Sequence, residues 1–194
     1  MNIVISCFDF STNFVKPWSK THLCYCIDTQ HPLGETQEDN IIKVGADIRH
    51  WMPPKGNIVF AAFFPPCTHM SVSGARWFKG KGLFPLAESI ELFAHSIRIA
   101  EYLDCPYFIE NPVSTIASYW RKPDHVFDPC DYGDPWTKKT CLWTGNGFRM
   151  PPMKPVFPYD KDKIHKMPPS DDRANLRSET PMGFSNAIFK YHCD

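Results

Sequence analysis

Short apolar segments separated by polar turns dominate the chain. Several are rich in β-branched and aromatic residues, which favours buried strands. The predicted strands cover residues 2–8, 23–27, 41–44, 58–64, 107–109 and 141–143. Residues 86–103 instead have apolar side chains at helical spacing and follow a proline, so they predict a helix that packs on the sheet without a chemical role. A last helix is predicted from about 179 to 192, and strands mixed with helices predict an α/β fold.

Acidic residues follow each of the first three predicted strands. Loops at the carboxyl ends of strands line the ligand crevice of open α/β sheets. Asp28 comes 19 residues after Asp9, and nucleotide-binding folds place an acid about 20 residues after the first turn to bind ribose hydroxyls. We therefore expect Asp28 to bind a ribose and Asp47 to reach the adenine end of a cofactor. The alternative for Asp28 is the start of a polar turn.

A single cysteine stands directly after the fourth predicted strand. Pro65 and Pro66 stop that strand because proline lacks the N–H that a sheet ladder needs. Cys67 then emerges on the loop, on a rigid platform suited to a nucleophile. The alternative is that Cys67 is a small buried apolar residue, a common role for a lone cysteine.

Charge is balanced over the 194 residues, with 21 Lys and Arg against 21 Asp and Glu. Any nucleic-acid binding therefore needs a local basic patch. Residues 138–177 are the candidate, with nine basic and four acidic side chains. Phe148, Phe157 and Tyr159 within it would suit stacking on unpaired bases, and the alternative is a solvated connection. Residues 75–85 predict a basic mobile loop that either closes over substrate or is solvated.

The eight cysteines form no CxxC pair, and no signal peptide is visible. We therefore expect reduced thiols in a cytoplasmic protein. The spacing from His22 to Cys26 favours a strand over a metal site, and no metal is expected. No apolar run approaches the ~20 residues that span a membrane, and the length predicts one domain.

Two strand ends carry motifs of a known family. The order Pro-Cys-x-x-apolar-Ser-x-x-Gly resembles the nucleophile loop of the DNA cytosine-5 methyltransferases, with Thr68 where that family more often has Gln. A Glu-Asn pair after the fifth predicted strand resembles the family's substrate-binding glutamate, although Pro112 replaces the usual Val. The matching residues are Pro66, Cys67, Met70, Ser71, Gly74, Glu110 and Asn111.

Other segments follow the family's order with departures. Residues 131–140 are similar to a block that ends Gln-x-Arg-x-Arg, where Trp136, Lys138 and Thr140 replace the Gln and the two Arg. Residues 179–184 resemble the C-terminal segment of short, phage-type members. The first turn, Phe-x-Gly-x-Gly in the family, has no glycine in residues 8–14. The family's target-recognition domain is also missing, and an irregular basic insertion over residues 145–178 takes its place.

The resemblance implies a Rossmann-like, S-adenosylmethionine-dependent methyltransferase fold with a mostly parallel seven-stranded sheet and flanking helices, in one catalytic domain over residues 1–194. It implies methyl transfer to carbon 5 of cytosine in DNA. The implied catalytic residues are Cys67, Glu110 and Lys138. Those expected at the cofactor are Phe8, Asp9, Phe10, Asp28, Asp47, Ile48 and Pro65. Those expected at the substrate are Pro66, Ser71, Gly74, Asn111 and Pro112.

Without a recognition domain, reading a duplex major groove is hard to support. The expected partner is single-stranded or loosely specified DNA or a free pyrimidine nucleotide, unless a second subunit of a homodimer supplies the missing surface. One alternative is an enzyme that uses the same cysteine and another one-carbon donor on a pyrimidine nucleotide. Another is a catalytically silent DNA-binding protein. The expected location is the cytoplasm of a bacterium or of a phage-infected cell.

Overall fold

The computed structural model describes residues 1–161 and 163–193, with the backbone alone at 164 and 165. All eight strands lie in one sheet, in the order β3-β4-β2-β1-β5-β6-β8-β7. The strands are β1 (Ile3–Cys7), β2 (Leu23–Ile27), β3 (Gly34–Glu38), β4 (Ile41–Gly45), β5 (Ile58–Phe63), β6 (Tyr107–Pro112), β7 (His125–Phe127) and β8 (Thr140–Gly145).

The five central strands, β4, β2, β1, β5 and β6, run parallel. From β1 the chain moves outward through β2 and β4, and then returns to place β5 on the other side of β1. Open α/β sheets bind ligands at such a reversal of strand order. The carboxyl ends of β1 and β5 therefore mark the expected crevice.

The α/β architecture with flanking helices is confirmed and is consistent with a Rossmann-like fold in general, but the predicted mostly parallel sheet of seven strands is wrong. The sheet has eight strands and is mixed, because β3, β8 and β7 pair antiparallel. The sequence pattern missed β3 and β7. All five residues of β3 are exposed, so the strand has no apolar pattern that the sequence could reveal. Backbone pairing with β4 holds it at the edge of the sheet.

The helices are α1 (Phe78–Lys81), α2 (Leu83–Leu103), α3 (Ile116–Tyr119), α4 (Lys163–Lys166), α5 (Arg173–Ser178) and α6 (Met182–His192). Helix α2 begins three residues before the predicted start. The prediction of a loop over residues 75–85 is wrong. Val72–Trp77 forms a 3₁₀ helix that leads through α1 into α2. The insertion is not wholly irregular, because it contains α4 and α5.

Two apolar layers cover the two faces of the sheet. Successive strand residues alternate between them: Phe60 belongs to one layer and Ala61 to the other. Helix α2 covers one face through Phe93, and α6 covers the opposite face through Phe184 and Ile188. This arrangement leaves the carboxyl ends of the parallel strands to the loops that carry the predicted site.

The strand predicted over residues 23–27 is confirmed with the same bounds, and Cys24 and Cys26 are buried on one of its faces. All eight cysteines are free thiols. Within residues 1–161 and 163–193, no three His, Cys, Asp or Glu side chains are grouped to hold a metal ion. Over the same part of the chain, no helix is both long and apolar enough to cross a membrane.

Candidate active site

The Cys67 loop begins where β5 ends. Pro65 is buried and Pro66 is exposed, so the chain leaves the sheet between them and brings Cys67 to a half-buried position. The Cys67 carbonyl oxygen accepts hydrogen bonds from the backbone N–H groups of Met70 (3.0 Å) and Ser71 (2.8 Å). These bonds close a tight turn directly after the thiol.

Backbone contacts join this loop to the segment that follows β6. The N–H of Val72 donates to the carbonyl of Val113 at 2.9 Å, and the N–H of Thr115 donates to the carbonyl of Met70 at 2.9 Å. Ser71 also forms an isolated antiparallel bridge with Ser114. The two loops are therefore held together as a pair, which fixes the nucleophile loop relative to the end of β6.

Glu110 lies near the end of β6, opposite Leu142 of β8. Its side chain is only 15% exposed, and its Oε1 is 3.9 Å from the Nζ of Lys138. That oxygen has no hydrogen-bond partner among the described residues. Burial raises the pKa of Glu110, and the charge of Lys138 partly opposes this. The carboxyl group can therefore still accept or donate a hydrogen bond to a ligand.

The Cys67 thiol lies within electrostatic reach of Glu110. Burial raises the pKa of Cys67, and the negative charge of Glu110 raises it further. The positive charges of Lys138 and Arg177 act in the opposite direction. The structure therefore brings together the three predicted catalytic residues and adds Arg177, which the sequence did not indicate.

The predicted substrate-binding residues have different surroundings. Ser71 is buried and its Oγ lies 2.8 Å from the Oγ of Ser73, while the fully buried Asn111 donates from Nδ2 to the Pro65 carbonyl at 2.9 Å. Both maintain the architecture of the loops. Gly74 has open space where a Cβ would stand, so nothing in its surroundings demands glycine. Pro112 continues β6 opposite Thr140.

A narrow crevice of about 30 Å³ opens at the carboxyl ends of β1 and β2. Four of the predicted cofactor-binding residues line it, namely Phe8, Asp9, Phe10 and Asp28. Phe64, the first residue after β5, also lines it, so the crevice lies beside the start of the Cys67 loop. The remaining lining residues are Ser11, Gln30, Asn175, Ser178 and Thr180.

The other three predicted cofactor residues do not line this crevice. Asp47 is held by Arg49, whose Nη2 lies 2.6 Å from Oδ2. Ile48 is 2% exposed and belongs to the core. Pro65 is buried, and its carbonyl is already bonded to Asn111. An acid engaged by its own neighbour is less available to a ligand, and a core side chain is not available at all.

The first turn adopts glycine-like geometry without glycine. Phe8 has φ 61° and Thr12 has φ 58°. Left-handed backbone is a genuine outlier for a β-branched residue such as threonine. The second glycine of the family pattern falls at position 12, so the backbone conformation is present there although the residue type differs.

Asp9 is a buried acid at the base of the crevice, 4% exposed. Burial raises its pKa to about 6, and the nearby charge of Asp28 adds to the effect. Hydrogen bonds donated by the hydroxyls of Ser6 (2.8 Å) and Ser11 (3.1 Å) oppose it. The Asp9 carboxyl is therefore partly protonated near neutral pH.

The proposed aromatic stacking surface is only partly realised. Phe157 and Tyr159 are each 77% exposed. Phe148 instead packs against Phe60 and Phe108, with ring centroids 6.3 and 6.0 Å away. Phe148 is therefore half-buried against the core, and the prediction of base stacking applies to the two exposed rings.

A search against known protein families finds no match, and no characterised protein matches the chain significantly. The resemblance to the cytosine-5 methyltransferases thus depends on short motifs and on the site that they form.

Proposed function

We propose that this protein transfers a methyl group from S-adenosylmethionine to carbon 5 of cytosine in DNA. The observation that carries the proposal is the common site of Cys67 and Glu110 at the ends of β5 and β6, with Lys138 beside the carboxylate. Cys67 and Glu110 match the family motifs, Lys138 stands where the family has Arg, and the crevice lined by Asp9 and Asp28 lies next to them.

Covalent catalysis explains the need for a thiol. Carbon 5 of cytosine is a weak nucleophile, and adding the Cys67 sulfur to carbon 6 makes carbon 5 electron-rich. Carbon 5 would then take the methyl group as the bond between the methyl carbon and the sulfonium sulfur of the donor breaks, leaving that electron pair on the donor sulfur. Loss of the carbon 5 proton to a base would restore the carbon 5–carbon 6 double bond and expel the Cys67 sulfur. Glu110 would hydrogen-bond the ring nitrogen and the exocyclic amine, which stabilises the charge that develops on the ring. Its raised pKa suits a carboxyl group that donates to the ring nitrogen.

The acids of the crevice suit a nucleoside-containing methyl donor. Asp28 at the end of β2 can accept hydrogen bonds from ribose hydroxyls, and Asp9 lies beside it. The crevice is much smaller than the ~300–1,000 Å³ of typical ligand pockets. Asn175, Ser178 and Thr180 line its other side, so α5 and the residues after it must move outward to admit a nucleoside.

Single-stranded DNA is the substrate best supported. A base must leave the stack to reach the half-buried thiol, and this costs least in an unpaired strand. The exposed rings of Phe157 and Tyr159 lie in the basic segment and can stack on neighbouring bases. Within the described residues between β8 and α6, no recognition domain stands ready to read a duplex.

A mechanism-based trap tests the proposal. A single-stranded oligonucleotide containing 5-fluorocytosine should form a covalent adduct with Cys67 when S-adenosylmethionine is present, because fluorine cannot leave as a cation in place of the proton. Intact-mass spectrometry should detect the adduct in the wild type and in Cys130→Ser, a control at another half-buried cysteine, but not in Cys67→Ser. Folded wild-type protein that forms no adduct would contradict the proposal.

A second candidate is modification of a free pyrimidine nucleotide by the same cysteine with another one-carbon donor. The first turn without glycine over residues 8–14 and the missing recognition domain favour it. Calorimetric titration separates the two candidates, because S-adenosylmethionine binding at micromolar concentrations would exclude the second.

A further inference from the structure

A second cavity, of about 310 Å³, is lined by residues of the Cys67 loop, α1 and the start of α2. The crevice at Asp9 and Asp28 measures only about 30 Å³, whereas this cavity has the size of typical ligand pockets, which is ~300–1,000 Å³. Its wall includes His69, Phe78, Lys79, Lys81, Leu83 and Leu86. None of these is a predicted catalytic, cofactor or substrate residue, so the cavity is a separate candidate site.

Apolar side chains form one part of the cavity wall. Leu86 packs against the hydrophobic core, and Phe78 is half-buried. Leu83 is 80% exposed, and the neighbouring Phe84 is 91% exposed. Large apolar side chains that are grouped on a surface mark binding sites, whereas single ones are ordinary. This part of the wall can therefore cover the apolar body of a ligand.

The polar part of the wall is rich in hydrogen-bond donors. The Nζ of Lys81 donates a 2.8 Å hydrogen bond to the carbonyl of Thr68, which uses one of the three ammonium hydrogens. Lys79 is exposed, and neither lysine forms an ion pair with a residue that the structure describes. The Nδ1 of His69 is buried without a hydrogen-bond partner among the described residues. A protonated ring nitrogen is a donor, so this nitrogen can join the two lysines in binding an anion.

The positive charge at the cavity is not balanced within its own segment. Residues 72–87 contain Arg76, Lys79 and Lys81 but no Asp or Glu. A second copy of the chain docked symmetrically on this face would bring two sets of like charges together, which is unfavourable. A negatively charged ligand complements the cavity instead. The apolar wall and the cations together select an anion that has an apolar body.

We propose that this cavity binds a small organic acid with one carboxylate and an apolar body. The carboxylate accepts charge-assisted hydrogen bonds from Lys79, Lys81 and the Nδ1 of His69. The apolar body lies against Phe78 and Leu83. The volume corresponds to about ten water molecules at ~30 Å³ each, so an acid of roughly ten non-hydrogen atoms fits. This binding does not depend on the proposed methyl transfer.

Isothermal titration calorimetry on the full chain tests the site with octanoate as the probe. Octan-1-ol and acetate are the matched ligands, because the first lacks the charge and the second lacks the apolar body. We expect octanoate to bind about tenfold or more tightly than octan-1-ol, because its carboxylate forms charge-assisted hydrogen bonds. Acetate should show no binding at the concentrations that saturate the protein with octanoate.

Exposed positions provide variants that remove no core contact. Leu83→Glu introduces an acid at the cavity and should abolish octanoate binding, whereas Leu33→Glu, at a leucine that is 97% exposed, should bind octanoate as the wild type does. Lys79→Met should weaken octanoate binding severalfold and leave octan-1-ol binding unchanged. Lys55→Met, at another exposed lysine, should change neither.

Equal octanoate affinity in Leu83→Glu and the wild type would overturn the site. The same holds if octan-1-ol binds as tightly as octanoate, or if octanoate does not bind. Sedimentation velocity tests the other occupant, a second copy of the chain. A wild-type dimer that Leu83→Glu dissociates would assign the cavity to that second copy and overturn the organic-acid site.

Discussion

The Nδ2 of Asn111 donates a 2.9 Å hydrogen bond to the carbonyl oxygen of Pro65, and Asn111 is fully buried. This bond joins the end of β6 to the residue that precedes the nucleophile loop. It fixes the distance between the strand that carries Glu110 and the turn that carries Cys67. A residue expected to contact substrate therefore serves to position the two groups that would do so.

Removing this bond should weaken both the fold and the site. Asn111→Ala leaves the buried Pro65 carbonyl without a donor, which costs about 1–3 kcal/mol of unfolding free energy. Denaturant titration measures that loss, and fluorocytosine trapping should slow in the protein that remains folded. Asn57→Ala, at an exposed asparagine, is the control and should change neither. Equal stability of Asn111→Ala and the wild type would contradict the role assigned to the bond.

The reactivity of Cys67 should depend on pH in a definite direction. Because burial and Glu110 raise the pKa of the thiol, its alkylation by iodoacetamide should have a midpoint above the ordinary value of about 8.5. Glu110→Gln should lower the midpoint, since it removes a negative charge, and Lys138→Met should raise it. Peptide mapping follows Cys67 separately from Cys130 and Cys193. Glu35→Gln, on exposed β3, should leave the midpoint unchanged, and no difference between Glu110→Gln and this control would refute the shared site.

Asp9 should make the protein less stable as pH rises. Its pKa is raised from 3.8 to about 6 in the fold, so the native state binds the proton more tightly than the unfolded state. The stabilisation that comes from protonated Asp9 is fully present below about pH 4 and is lost as the pH rises through about 6. The free energy of unfolding changes by up to about 3 kcal/mol over this range. Asp9→Asn should abolish this part of the pH dependence. Denaturant unfolding of both proteins at pH 4.5 and 7.5 measures it, and parallel profiles would contradict the raised pKa.

Thr12→Gly should stabilise the protein although it removes a side chain. Left-handed backbone costs a non-glycine residue about 1–2 kcal/mol, and glycine would relieve this strain. Part of the stabilisation would be lost, because glycine is more flexible in the unfolded chain. A net increase of about 0.5–1 kcal/mol in unfolding free energy is expected. Thr36→Gly, in strand β3, is the matched control and should destabilise. Similar losses in both variants would show that position 12 is not strained.

The sequence predicted the part of the site that depends on strand order. Parallel β5 and β6 are neighbours, with Phe63 opposite Ile109, so Cys67 and Glu110 emerge at the same edge of the sheet. A pattern of apolar runs followed by functional residues is enough to indicate this. The same logic correctly grouped Asp9 with Asp28, because β1 and β2 are also parallel neighbours.

Contacts between distant segments could not be predicted in this way. The positive charge of Arg177 acts on Cys67 from a helix more than 100 residues later in the chain, and the only hint was the basic composition of residues 138–177. The exposed strand β3 has no apolar alternation to detect. Asp47 is a different case, since a strand-end acid two residues before Arg49 forms a local ion pair that the spacing itself suggests.

The central claim is methyl transfer that depends on Cys67. The most direct measurement incubates the protein with a cytosine-containing single strand and methyl-labelled S-adenosylmethionine, then hydrolyses the DNA and quantifies 5-methylcytosine by mass spectrometry. The account predicts labelled 5-methylcytosine from the wild type and from Cys130→Ser, and none from Cys67→Ser. Absence of label with folded wild-type protein on single-stranded and duplex substrates, or equal label from Cys67→Ser, would contradict it.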